Sequence, residues 1–222
     1  MKLIEPLHLQ SMRVSRKFDC IIPAAGLSSR MGSWKLMIEF SGRPLILQSV
    51  ENALDACRRV ILVTGHRGEE LEDLFSDNSR VTCIRNHEYH RGMFSSIQTG
   101  TSIAETDWFF ITLGDMPYIP VQLFEQLADR TAGTSGSAEK AIIRPVYRGR
   151  PGHPVLLKRE TSETIRGIDP AGSMRMVFET HSLNTGRGVL NVPVDTRGCV
   201  YDIDTLDDLP GPPTGTNKER KT

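Results

Sequence analysis

Short apolar runs alternate with helix-like repeats along most of the chain. Apolar runs predict strands at residues 19–24, 60–64, 81–85, 108–113, 141–146, 154–157 and 189–194. Apolar residues recur at helical spacing in the segment after Pro44 and at residues 69–75, 95–104 and 120–127. Uninterrupted apolar strands separated by helices are typical of a parallel sheet that is covered on both faces. The pattern therefore predicts one α/β domain.

The two ends of the chain depart from this pattern. Residues 1–17 are predicted to be an irregular N-terminal extension and residues 210–222 a flexible C-terminal tail, which leaves a domain at 18–209. The 222 residues carry 27 Lys+Arg and 27 Asp+Glu. This neutral balance argues against a broad nucleic-acid surface, and no apolar run approaches the roughly 20 residues that cross a bilayer. With no signal-like apolar core near the start, we expect a cytoplasmic protein.

A turn rich in glycine and serine follows the first predicted strand. The turn contains Ala24, Ala25, Gly26, Ser28, Arg30 and Gly32, and Lys35 comes three residues later. Backbone N–H groups in such a turn can approach an anion closely, and Arg30 and Lys35 would add the positive charge that a polyphosphate needs. The spacing matches neither the phosphate loop of ATPases nor the glycine turn of nicotinamide-binding folds.

These residues resemble the signature of molybdopterin nucleotidyltransferases, and most closely that of molybdenum cofactor cytidylyltransferases. The resemblance covers about residues 18–209 and implies a single-domain, Rossmann-like, three-layer α/β/α fold with a mostly parallel mixed sheet, as in nucleotide-diphospho-sugar transferases. It implies transfer of CMP from CTP to the terminal phosphate of molybdopterin, with release of pyrophosphate. In the family this turn wraps the triphosphate, and its Arg and Lys correspond to Arg30 and Lys35. The related guanylyltransferases typically have glycine where this chain has Ala25, so the bulkier residue favours the smaller base, cytosine.

Carboxylates follow the most apolar strand and recur near the end of the chain. Gly114 and Asp115 lie where parallel α/β sheets bind their ligands. Asp202 and Asp204 alternate in a predicted strand at 201–205, so one of them could join Asp115 in an oxygen site for Mg²⁺. The blocks Gly-Asp-Met-Pro and Asp-Ile-Asp-Thr both resemble family motifs. This resemblance favours Asp115 and Asp202 as metal ligands and leaves Asp204 as the alternative.

Three further blocks resemble family motifs. Ser95 and Ser96 match a segment that contacts the nucleotide, although either residue would also suit a helix N-cap. Gly152 and His153 match a Gly-His-Pro motif near the acceptor side of the cleft. Arg175 resembles a block that closes the acceptor pocket, and a plain surface arginine is an equal alternative. Together with Lys35, Arg30 and Asp115 as catalytic residues, these blocks complete the predicted site.

Other functions remain open at this point. One alternative is a nucleotidyltransferase that uses GTP, or a sugar or alcohol phosphate as acceptor. Another is a non-catalytic protein that binds molybdenum cofactor and delivers it to an apo-molybdoenzyme or its chaperone, although such a protein would not need the predicted acidic and basic residues together. The scattered cysteines predict buried apolar positions rather than a metal site. The histidines His66, His87, His90 and His181 are predicted to lie on the surface.

Overall fold

The structure is a computed structural model that describes residues 17–26, 34–131 and 140–209. The tail at 210–222 and almost all of the extension at 1–17 lie outside these ranges, so the domain boundaries stay a prediction. Ser28 and Arg30, which belong to the phosphate-binding turn predicted above, also lie outside the described residues.

Strands and helices alternate through the described chain, as the apolar pattern predicts. The strands are β1 (Asp19–Pro23), β2 (Glu39–Phe40), β3 (Arg43–Pro44), β4 (Arg59–Thr64), β5 (Val81–Arg85), β6 (Trp108–Ile111), β7 (Ile142–Tyr147), β8 (Arg150–Pro151), β9 (Val155–Lys158) and β10 (Val189–Pro193). The helices are α1 (Leu45–Ala56), α2 (Gly68–Leu74), α3 (Met93–Thr101), α4 (Val121–Ala128), α5 (Thr161–Gly167) and α6 (Met174–Thr185). Among the helices that the structure describes, none is long and apolar enough to cross a membrane.

One mixed sheet organises the fold. Its strand order is β10-β7-β9-β6-β1-β4-β5, with β8 paired to β7. The pairs β1–β4, β1–β6, β4–β5 and β7–β10 are parallel, whereas β9 runs antiparallel to both of its neighbours. The carboxyl ends of β1, β4, β5 and β6 therefore meet at one edge, which is where ligands bind in sheets of this kind. The prediction of a mostly parallel mixed sheet is confirmed.

Apolar clusters cover both faces of the sheet. On β1, Cys20 and Ile22 face the cluster that includes residues of α1, α2 and α4, while Ile21 faces the cluster that includes residues of α3, α5 and α6. All three side chains are fully buried. A central strand that is covered on both sides cannot alternate between apolar and polar residues, which explains its continuous apolar run. The expected three-layer α/β/α arrangement is confirmed.

Two local expectations need correction. Residues 201–205 do not form a strand but an extended segment, attached by a hydrogen bond from the Ile203 N–H to the Asp115 carbonyl oxygen (3.0 Å). The expected alternation survives there, since Ile203 is buried while Asp202 and Asp204 are exposed. The prediction that His181 lies on the surface is wrong, because its side chain on α6 is only 2% exposed.

The remaining side-chain expectations agree with the structure or nearly so. His87 and His90 are exposed, as predicted, and His66 is half-buried. Three of the cysteines are buried and the other is half-buried, and all are free thiols; these are Cys20, Cys57, Cys199 and Cys83.

Candidate active site

The candidate phosphate-binding turn begins where β1 leaves the sheet. Ala24 and Ala25 are buried there, and the Ala24 N–H donates to the carbonyl oxygen of Val63 at the end of β4 (2.8 Å). The next residue, Gly26, is exposed. A Cβ atom added at Gly65 would lie 2.6 Å from the Cβ of Ala25, so the two backbones pack as closely as this pair of residues allows. The start of the turn is thus held between β1 and β4.

Lys35 lies between two carboxylates from distant parts of the chain. Its Nζ atom is 2.7 Å from Oδ2 of Asp115 and 2.7 Å from Oδ1 of Asp204. The lysine belongs to a short 3-10 turn, Asp115 follows β6, and Asp204 lies on the extended segment near the end of the domain. The lysine side chain is only 13% exposed. The structure therefore brings together two of the predicted catalytic residues, Lys35 and Asp115, and adds Asp204 as a second carboxylate partner of the lysine.

The electrostatics of this cluster differ for the lysine and for Asp202. Burial by itself would lower the pKa of Lys35, but the hydrogen bonds to Asp115 and Asp204 raise it above the ordinary value. Lys35 is therefore a fixed positive charge at neutral pH. Partial loss of solvent, together with the charges of Asp204 and Asp115, raises the pKa of Asp202. Asp202 thus lies within the field of the other carboxylates and would gain from a nearby cation.

A divalent cation fits this set of oxygens. Oδ1 of Asp115 is buried and has no hydrogen-bond partner in the structure, and such an unsatisfied carboxylate oxygen is costly to bury. Mg²⁺ is commonly held by one or two carboxylates together with substrate phosphates. Within the described ranges, no group of three or more acidic, histidine or cysteine side chains could hold a metal ion unaided. The cluster suits a cation that arrives with a phosphorylated substrate.

Gly114 and Ser49 hold the chain that leads into Asp115 against α1. A Cβ atom at Gly114 would lie 2.6 Å from Cδ1 of Ile46 and 3.0 Å from Cδ2 of Leu36, so a larger residue here would have to displace the ends of these side chains. The Ser49 hydroxyl, on α1, donates to the Gly114 carbonyl oxygen (2.9 Å). These contacts position Asp115, and direct contact of Gly114 with a nucleotide stays a prediction.

Ser95 and Ser96 lie in the first turns of α3 with their side chains turned inward. Both are buried, and the side-chain amide of Asn86 donates to their hydroxyl oxygens at 2.8 and 3.0 Å. Neither is the N-cap, because Gly92 occupies that position. The serines therefore hold the loop after β5 against α3, and their contact with a nucleotide stays a prediction. Asn86 is the partner that sequence reasoning missed, although its place directly after β5 was a usable signal.

A cavity of about 340 Å³ opens on the α3–α6 face of the sheet. Its lining consists of Met93, Phe94, Ile97, Ile111, Leu113, Arg144, Pro151, Gly152, His153, Val155, Gly172, Ser173, Met174 and Phe178. Two predicted acceptor residues, Gly152 and His153, are in this lining, and Leu113 connects it to Asp115 two residues further on. A largely apolar cavity with few polar groups is the usual form of a small-molecule site.

The segment that carries Gly152 and His153 is tied to the short 3-10 turn Arg197–Val200, which directly precedes the extended segment. The N–H of His153 donates to the Cys199 carbonyl oxygen (2.8 Å), and a Cβ atom at Gly152 would collide with that same oxygen. Burial lowers the pKa of His153, whose Nδ1 lies 3.4 Å from the carbonyl oxygen of Ile111. A neutral imidazole therefore lines the cavity on the side of the carboxylate cluster.

Arg175 is not brought to this cavity. Its side chain is 86% exposed and pairs with Glu179 along the outer face of α6 (2.9 Å). The described contacts therefore match the surface alternative rather than acceptor binding. The cavity instead contains Arg144, which sequence reasoning missed. A charged residue within the apolar run of β7 was the signal that could have found it.

Comparisons with known proteins identify the family of the chain. The protein-family model described as the MobA-like NTP transferase domain matches residues 20–185 of the chain. The chain belongs to this family. It is 34% identical to the molybdenum cofactor cytidylyltransferase of Escherichia coli over 209 residues, which is 92% of this chain and 97% of the relative. A probable molybdenum cofactor guanylyltransferase from Natronomonas pharaonis is 28% identical, over 74% of this chain and 80% of its own.

The fold of this family member is shared with solved nucleotidyltransferases. A nucleotidyl transferase from Methanothermobacter superimposes with a TM-score of 0.71 at 20% identity, over 86% of this chain and 94% of its own. At this identity the likeness concerns the fold alone, and it agrees with the sheet described above. The chain is thus a nucleotidyltransferase in fold and family.

Proposed function

We propose that this protein transfers CMP from CTP to the terminal phosphate of molybdopterin and releases pyrophosphate. The observation that carries the proposal is the cluster in which Lys35 lies between Asp115 and Asp204, at the edge of an apolar cavity large enough for a heterocycle. A cation next to carboxylates suits the binding of phosphates, and the cavity suits the body of the acceptor. The E. coli relative named as a molybdenum cofactor cytidylyltransferase supports this choice of substrates.

The chemistry is substitution at the α-phosphorus of the nucleotide. An oxygen of the acceptor phosphate forms a bond to the α-phosphorus, and the bond from that phosphorus to the oxygen bridging to the β-phosphate breaks. A phosphate monoester has a second pKa of about 6, so the acceptor is mostly dianionic at neutral pH and needs no general base. The difficulty is that two anions must meet, which positive groups already in place relieve.

Different residues of the chain have different roles in this reaction. Lys35 neutralises charge at the α-phosphate, and the turn from Ala24 to Gly26, with Ser28 and Arg30, holds the triphosphate and the departing pyrophosphate. Asp115 and Asp202 would hold Mg²⁺, which supplies Lewis-acid neutralisation of the phosphate oxygens. Gly152 and His153 face the acceptor.

Ala25 supports CTP as the donor. Its methyl group is packed against Gly65, where a single added Cβ atom would lie only 2.6 Å from it. A methyl group beside the base reduces the space available to it, and the smaller cytosine fits that space better than guanine. The related guanylyltransferases make GTP the alternative donor.

The proposal also covers the extent of the catalytic domain, the cellular compartment and the recipient of the product. We assign the catalytic unit to residues 18–209, the activity to the cytoplasm, and the product to an apo-molybdoenzyme or its chaperone.

One experiment tests the donor, the acceptor and the catalytic role together. The protein is incubated with Mg²⁺, molybdenum cofactor and, in turn, CTP, GTP, ATP or UTP, and pyrophosphate and product mass are measured. We expect turnover with CTP and none with Asp115→Ala. Turnover with GTP above that with CTP would overturn the donor assignment. Cofactor binding without pyrophosphate release from any nucleotide would identify a delivery protein instead.

A further inference from the structure

The cavity on the α3–α6 face has one permanently charged side chain in its described lining. The lining is otherwise apolar or neutral, since His153 has a lowered pKa, and it includes the rings of Phe94 and Phe178. Arg144 supplies the single guanidinium. Arg144 is half-buried, and a charged group that is taken partly out of water loses solvation that a polar ligand can restore.

Arg144 is held in place by two neighbours. It lies on β7 directly opposite Asn191 of β10, and its Nε–H donates to Oδ1 of Asn191 (2.8 Å). Its guanidinium carbon lies 5.7 Å from the centre of the Phe178 ring, which is within the range of a cation–π contact. Its terminal NH₂ groups have no hydrogen-bond acceptor in the part of the chain that the structure describes. The arginine is therefore oriented but retains donors for a ligand.

The sheet register separates Arg144 from the carboxylate cluster. Ile111 of β6 pairs with Val155 of β9, and β7 pairs with β9 so that Arg144 falls at the level of Val155. Two steps between strands amount to about 10 Å, and Asp115 lies four residues beyond Ile111. This spacing sets the backbone of Arg144 apart from the phosphate that reacts near Asp115. Arg144 lies where the far part of an acceptor would be.

We propose that Arg144 is a specificity-determining residue for the acceptor, and that its guanidinium donates to carbonyl or imine atoms on the edge of a planar, conjugated heterocycle. The inference rests on the proposed function, which places the acceptor in this cavity. Aromatic rings and methionine thioethers in the lining provide apolar contact for the faces of such a ring. Arg144 adds the directional contact that these apolar groups lack, so it distinguishes a heterocycle from an apolar molecule of similar size.

The test compares three variants in two assays. Arg144→Met keeps the apolar stem and removes the donors, whereas Arg144→Lys keeps the charge without the planar donor edge. Arg148→Met is the matched control, because Arg148 also lies over an aromatic ring (5.3 Å from the centre of Tyr147) but is exposed and does not line the cavity. The first assay measures KM for molybdopterin and for CTP by pyrophosphate release. The second measures binding of unsubstituted pterin, which has no phosphate, by its fluorescence.

We expect Arg144→Met to raise the KM for molybdopterin and the dissociation constant of pterin at least ten-fold, a loss of about 1.4 kcal/mol. The KM for CTP should stay within about two-fold, Arg144→Lys should be intermediate, and Arg148→Met should match the wild type. A midpoint of thermal unfolding equal to that of the wild type would show that the variants are folded.

The two assays separate failure of this inference from failure of the proposed function. If the wild type turns over CTP but Arg144→Met leaves both acceptor constants unchanged, the role of Arg144 is refuted. If inorganic phosphate competes with pterin only when Arg144 is present, the guanidinium binds phosphate and not the heterocycle, which also overturns the inference. If no nucleotide is turned over, the proposed function fails, and pterin binding by the wild type and Arg144→Met still decides the role of Arg144. A wild type that binds no pterin contradicts it.

Discussion

Gly65 and Ala25 meet at the start of the predicted phosphate-binding turn with no room for another methyl group. A Cβ atom at Gly65 would lie 2.6 Å from the Cβ of Ala25 and 2.9 Å from that of Tyr89, whereas non-bonded carbons are ordinarily about 3.5–4.0 Å apart. Overpacking of this kind costs about 1–3 kcal/mol. We expect Gly65→Ala to lower the free energy of unfolding by about 2 kcal/mol and to raise the KM for CTP, because Ala25 has to move.

A double-mutant cycle tests the cause of this loss. Ala25→Gly removes one of the two colliding methyl positions, so Gly65→Ala should cost about 1 kcal/mol less in that background, which is within the usual range for residues in contact. Urea unfolding and the KM for CTP are measured for both single variants and the double variant. Gly188→Ala is the control, because its Cβ would approach no atom closer than 3.7 Å. Additive losses, or a Gly65→Ala variant as stable as the wild type, would refute the reasoning.

Three other predictions concern catalysis, donor choice and pH. Lys35→Met should lower turnover about 100- to 1000-fold in the pyrophosphate assay, because it removes a cation already in position, while the exposed-site control Lys17→Met should keep full turnover. Ala25→Gly should raise turnover with GTP relative to CTP, measured as the ratio of kcat/KM values. Asp19→Asn should cost about 2 kcal/mol at pH 7, because a fully buried carboxylate then loses its charged hydrogen bonds to Arg58 and Arg59.

The pH dependence follows from the sign of the shift at Asp19. Burial opposes its ionisation, but hydrogen bonds from Arg58, Arg59 and the Glu105 N–H hold its pKa below the ordinary value. The stabilisation is therefore complete above the unfolded pKa of about 3.9 and is lost as the pH falls through the lower pKa of the folded state. Urea unfolding should show a smaller acid-induced loss of stability in Asp19→Asn than in the wild type.

Specific results would contradict these predictions. Parallel pH profiles for Asp19→Asn and wild type would show that Asp19 contributes no pH-dependent stability. A Lys35→Met variant with near wild-type turnover would remove Lys35 from the chemistry. An unchanged donor ratio in Ala25→Gly would mean that another residue selects the base.

The local pattern of the chain predicted most of the sheet. Residues 81–85 form β5 as expected. The run at 108–113 contains β6, because a strand covered on both faces must be continuously apolar. Helix spacing after Pro44 likewise gave α1. The same logic failed at residues 201–205, where an alternating pattern occurs without a neighbouring strand to pair with. Alternation reports which side chains are buried, not whether a ladder forms.

The positions of His181 and Ser95 could not be read from local sequence. His181 has polar neighbours along the chain but packs between α5 and α6, with Thr164 3.4 Å from its ring. Ser95 lies in the first turn of a helix, yet its hydroxyl oxygen accepts a hydrogen bond from the side-chain amide of Asn86. In both cases burial depends on contact with another element, which residue spacing does not report.

The sequence by itself determined the alternation of strands and helices and the residue types of the site. Local periodicity and composition carry that information, because they reflect which faces are buried. Only the tertiary structure decided that Lys35 meets Asp204, which is 169 residues away, and that Arg144 lines the cavity beside His153. Both depend on strand order and on the antiparallel insertion of β9, which are set by long-range pairing and not by the order of residues.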